Sequence, residues 1–133
     1  MVALSVVLAA FVSGCSGSDG LNEECAEAFE RAALTVEQVL SAEYECGGSF
    51  GNPSQSGTVV LSVDTQEQAT PVIEEIYKAF AAEEGLDSAW SPSTRFLDEG
   101  GTASFDDLDL DFNGTPAIRH LRDRYGIGPE GSD

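Results

Sequence analysis

Two apolar periods alternate between Asn22 and Tyr125, and their order leaves few architectures open. Leu21, Cys25, Phe29, Ala32, Val36 and Val39 recur at helical spacing, so residues 22–40 are expected to form an amphipathic helix. Asn22 would cap it, with Glu23, Glu24 and Glu27 near the positive end of its dipole. From Ala42 to Phe50 the period drops to two: Glu43 and Glu45 alternate with Tyr44 and Cys46, as in a strand with one buried face. Gly51 to Gly57 has turn composition, and the β-branched run Thr58–Val63 is its returning partner. Thr70-Pro71 has the form of an N-cap and first helical position, followed by the stripe Val72, Ile73, Ile76, Ala79 and Phe80 and a left-handed stop at Gly85. A second hairpin follows, Ser88–Leu97 and Thr102–Phe112 around Asp98–Gly101, with Pro92 either confining its first strand to an edge or splitting it. Thr115-Pro116 repeats the helix start, and Gly126 ends that helix.

Each helix-plus-hairpin unit has one apolar face that it cannot bury alone. The expected fold is therefore α+β: a two-layer sandwich in the order αββαββα, with a four-stranded antiparallel sheet carrying its helices on one face. Residues 15–133 suffice for one domain and not for two, and that single domain is expected over 22–125.

Charge excludes several partners. The chain has 24 acidic residues against six Lys and Arg, for a formal charge of −18, yet 41% of it is hydrophobic, enough for a packed core. A surface of this sign repels nucleic acid, whose binding depends on cations neutralising phosphate, and it equally disfavours anionic lipid head groups.

The N-terminal stretch reads differently. Val2 to Val12 is apolar apart from Ser5, shows no amphipathic period, and falls short of the roughly 20 residues needed to cross a bilayer. Val12-Ser13-Gly14-Cys15 resembles the lipobox of bacterial lipoproteins, in which a branched apolar residue and two small ones precede a cysteine. It departs from that pattern in having no Lys or Arg ahead of the apolar run. The resemblance implies a signal peptide over residues 1–14, a lipid (diacylglyceryl and palmitate-type acyl chains) on Cys15, and a body on the outer face of a membrane. Residues 15–21, with Ser16-Gly17-Ser18-Asp19-Gly20, would be a flexible tether, and 126–133 a disordered tail. The chain is also loosely similar to small exported actinobacterial lipoproteins of unknown function, a similarity that carries no activity with it.

With Cys15 lipidated, Cys25 and Cys46 are left, and an exported compartment permits them to pair. Their places on a helix stripe and a strand face would staple helix to sheet, worth roughly 3 kcal/mol for a ring of this size. Two buried thiols are the alternative. No Cys-x-x-Cys spacing suggests redox chemistry.

Among candidate sites, Asp107, Asp109, Asp111 and Asn113 are the sharpest. On a strand, the three aspartates would share one face about 7 Å apart, where a hard cation such as calcium relieves their repulsion. From Asp109 the run also begins a calcium-loop pattern, but the position requiring a bidentate glutamate is His120. A charged, solvated strand face is the simpler account. Arg119, Arg122 and Arg124 cluster around His120, either as a small anion site or as partners for a helix terminus and nearby aspartates. His120 itself lacks the nucleophile motif of a hydrolase. Trp90, Tyr44 and Tyr77 belong to the core or line a binding face. The expected function is a membrane-anchored, non-catalytic domain that binds a partner or serves the cell envelope without a cofactor; a calcium-binding module and an exported hydrolase are the alternatives.

Overall fold

A computed structural model of the chain describes residues 17–49, 52–112 and 114–128. Helix α1 spans Gly17–Leu34, and strands β1 (Val39–Ser49) and β2 (Asn52–Leu61) form a hairpin. Helix α2 (Gln66–Ala82) leads to β3 (Ser93–Leu97) and the two-residue β4 (Ser104–Phe105). A 3-10 turn at Leu108–Leu110 and helix α3 (Ile118–Tyr125) complete the fold. The class is α+β with three helices on a four-stranded sheet of order β1-β2-β3-β4.

The sheet is mixed, which corrects the antiparallel expectation. β1–β2 and β3–β4 are antiparallel, but β2 and β3 run parallel from Ser56↔Ser93 to Val60↔Leu97. A parallel neighbour needs a long crossover, and residues 62–92, containing α2, supply it. The second helix-plus-hairpin unit is therefore not a repeat of the first: the β1–β2 hairpin is followed by a β-α-β crossover to β3.

Tyr44, Val59, Leu61, Phe96 and Phe105 are buried on the sheet's inner face, with Phe29 of α1, Ile73, Ile76 and Phe80 of α2, and Ile118 and Leu121 of α3. Glu43, Glu45, Ser56 and Arg95 alternate with them and are exposed on the other face. Strand β2 begins at Asn52, inside the stretch expected to be a turn. Pro53 lies beyond the residues of β2 that pair with β3, so its missing N–H removes no rung there.

Tyr44 ties three strands together. Its ring stacks on Phe29 with centroids 4.8 Å apart and meets Phe80 edge-on at 6.0 Å. It crosses β2 at Gly57, its register partner, and its Oη lies 2.7 Å from Thr94 Oγ1 on β3. Burial pushes the Tyr44 phenol up, well out of its ordinary range. At the free edge of β1, Glu30 Oε2 of α1 accepts the Tyr44 backbone N–H at 2.9 Å.

The helix boundaries differ from the sequence pattern, beginning with the end of α1: it stops at Leu34, and Val39 and Leu40, expected to close its apolar face, open β1. α1 starts at Gly17, inside the 15–21 stretch expected to be a tether. Thr65, not Thr70, caps α2, its side chain accepting from the Gln68 N–H at 3.2 Å, so Pro71 lies within the helix. Ala117 precedes α3, where His120 Nδ1 accepts the Ala117 N–H at 3.1 Å. Gly126 ends α3 in the left-handed conformation (φ 63°), and Ile127, expected in a disordered tail, packs against the core. Residues 129–133 lie outside the described residues. Among the described residues, no helix is long and apolar enough to cross a membrane.

Candidate functional site

Val12, Ser13, Gly14 and Cys15 lie outside the described residues, as does Asn113. Cys25 and Cys46 form a disulfide with Cα atoms 6.1 Å apart, joining α1 to β1 across 21 positions of sequence. Cys25 is buried and Cys46 partly so, and Phe29, one turn beyond Cys25, carries the aromatic core onward to Phe80 and Trp90.

The aspartate row does not form on a strand. β4 stops at Phe105, and the Gln66 side chain brackets the next residue: its Nε2 donates to Asp106 O and its Oε1 accepts the Asp106 N–H, both at 2.9 Å. The chain then turns through Leu108–Leu110, and Asp111 takes a left-handed conformation at φ 66°. Asp107 turns inward and accepts the Tyr77 hydroxyl at 2.5 Å, while Asp109 and Asp111 are exposed. Burial first, then the bond to Asp107, raises the Tyr77 phenol far above its usual range. Among the described residues, no three His, Cys, Asp or Glu side chains are grouped so as to hold a metal ion. The alternation of Asp107, Asp109 and Asp111 with Leu108, Leu110 and Phe112 has another origin: Leu110 is buried, but Leu108 is 72% exposed.

Two of the three arginines of α3, Arg122 and Arg124, are spent on carbonyls rather than on aspartates. Arg122 donates through Nε to Ala81 O (2.9 Å) and through Nη2 to Glu83 O (2.8 Å) and Leu86 O (3.0 Å). Its Nη1 reaches Ser88 Oγ at 2.6 Å. It thus closes the C-terminus of α2, which has no left-handed glycine: Glu83 there is extended, and Gly85 keeps a negative φ. Arg124 donates to Leu110 O and Asp111 O and lies over the Phe112 ring at 4.1 Å. Arg119 and His120 remain exposed.

Tyr44 and Tyr77 belong to the core; Trp90 does not go fully into it. It is half-buried, 6.1 Å from Phe29 between ring centroids, and lines a cleft of about 480 Å³ with Ser54, Gln55, Asp87, Ser91 and Ser93. The cleft lies where the α2–β3 connection crosses the start of β2. Gln55, the buried polar side chain of this core, is 7% exposed, and its Oε1 accepts the Ser91 N–H at 2.9 Å. Only Trp90 of this set stands out in the sequence. Gln55 lies in a stretch of turn composition, and Asp87 is one carboxylate among many.

Comparison with known proteins finds no family model and no curated protein that matches the chain.

Proposed function

We propose that the chain is an exported lipoprotein, held to the outer face of a membrane through a lipid on Cys15, whose folded body has a non-catalytic binding or envelope-structural role. The observation that carries this is the Cys25–Cys46 disulfide in a chain whose third cysteine ends the sequence Val12-Ser13-Gly14-Cys15. A structural disulfide persists in an oxidising compartment, and the remaining thiol stands where the lipobox-like pattern requires one. The formal charge of −18 fits such an arrangement, since it keeps the body off anionic head groups while the acyl chains hold it nearby. The cleft beside Trp90, one of several on the surface, is a concave feature on which a binding role can draw.

Radiolabelled palmitate fed to cells expressing the chain should enter the wild type and not Cys15→Ala. Intact mass should show a product beginning at Cys15, acylated, with two fewer hydrogens for the disulfide. Label retained by Cys15→Ala, or a purified product that starts at Met1 with free thiols, would overturn the proposal.

A further inference from the structure

The cleft beside Trp90 has walls fixed in advance of any ligand. Asp87 Oδ1 accepts the Ala89 N–H at 2.8 Å, and Asp87 O accepts the Trp90 N–H at 3.0 Å. Trp90 O in turn accepts the Ile118 N–H at 2.7 Å, and Ser88 O the Arg119 N–H at 2.9 Å, which bind the segment to the start of α3. Ser91 Oγ donates to Thr115 O at 3.2 Å, and the Gln55 carbonyl holds the Ser91 backbone from the β2 side. Little conformational freedom is left for a ligand to remove, which favours affinity in a small site.

The lining then selects the ligand chemistry. One face is indole, an apolar plane with a negative π surface that packs against C–H groups. Around it stand three serine hydroxyls, the Asp87 carboxylate and the Gln55 amide. The Gln55 carbonyl is used internally, while its Nε2, on a side chain that lines the cleft, donates to no described residue and keeps contact with solvent. A donor so placed favours an acceptor from the ligand. No Lys or Arg lines the cleft, so phosphate and carboxylate ligands find no countercharge. A quaternary ammonium is normally held by several aromatic faces, and Trp90 is the single aromatic ring here. The remaining class has one apolar face and a rim of hydroxyls that donate and accept.

We propose that this cleft binds a neutral pyranose sugar, its C–H face on Trp90 and its hydroxyls on Gln55 Nε2, the Asp87 carboxylate and the serines. A volume of about 480 Å³ accommodates one or two sugar rings. The inference rests on the binding role proposed above and not on the lipid at Cys15, so acyl labelling and sugar binding fail separately.

Trp90 is the sole tryptophan, so its emission reports on this cleft alone. The purified full chain, held in a polyoxyethylene detergent that carries no sugar, is titrated with glucose, N-acetylglucosamine and chitobiose, and in parallel with choline chloride and inorganic phosphate. At least one saccharide should give a saturable change in emission. Its midpoint should weaken about tenfold in Gln55→Leu and in Asp87→Asn, the loss expected for a buried hydrogen bond to a ligand. Asp87→Asn keeps the Oδ1 bond to Ala89 and serves if Gln55→Leu fails to fold; wild-type melting confirms the fold of each variant. No saturable response to any of the three saccharides overturns the proposal. So does a response confined to choline or phosphate, or saccharide binding that is unchanged in the folded variants.

Discussion

Gly57 has no side chain so that Tyr44 can have its place. A Cβ built on Gly57 would lie inside van der Waals contact with the Tyr44 ring, which crosses β2 there to reach Thr94. Replacing glycine by alanine inside a strand ordinarily stabilises by roughly 0.5–1 kcal/mol, because the unfolded chain loses freedom. Here the sign should reverse. Gly57→Ala should cost about 1–3 kcal/mol through overpacking, read as a lower midpoint in urea denaturation, with near-ultraviolet circular dichroism reporting a displaced Tyr44. Period-two alternation identifies Tyr44 as inward-facing. Nothing in the alternation says that its partner must be a glycine, because that depends on which strand lies beyond β2. The same limit applies at Gln55 and Trp90, whose cleft comes from two segments brought together only in the folded chain.

At the scale of elements, local pattern locates the helices and strands well and their ends poorly, for identifiable reasons. The aspartate alternation would continue β4, but the chain turns through Leu108–Leu110 instead, with the Asp106 backbone held by two bonds from the Gln66 side chain. Gln66 is 40 positions away in sequence, out of reach of any local pattern. α2 likewise ends under an arginine from α3 rather than at Gly85. Arg122→Leu should therefore free the carbonyls of Ala81, Glu83 and Leu86 together and lower unfolding free energy by about 2–3 kcal/mol. Arg122→Lys should recover less than half of that loss in the same urea titration, because an ammonium is a point donor and cannot fork across three acceptors. Equal stability of Arg122→Leu and the wild type would show that solvent serves these carbonyls as well.

Taken whole, the molecule is a hairpin and a small β3–β4 corner joined across one parallel seam, with the helices over the inner face. Reading helix–hairpin units in series makes every neighbouring pair antiparallel; only the crossover through α2 reverses β3, and composition does not distinguish the two. The Cys25–Cys46 bond fastens α1 along the edge strand β1, where Glu30 occupies the Tyr44 N–H. Glu30→Ala should leave that N–H bare at the side of the sheet, costing about 1 kcal/mol and producing concentration-dependent association in sedimentation velocity. A variant that stays monomeric at every concentration would show that α1 alone shields the strand.

Under the membrane anchoring proposed above, that carboxylate would take on a further part. Molecules confined to a plane meet far more often than the same number in a volume, and an open rim of strand amides would let each recruit the next into ribbons. On one rim Glu30 occupies the Tyr44 N–H in the middle of β1, and the opposite rim, β4, is two residues long. Neighbours can therefore crowd together without adding strands to one another.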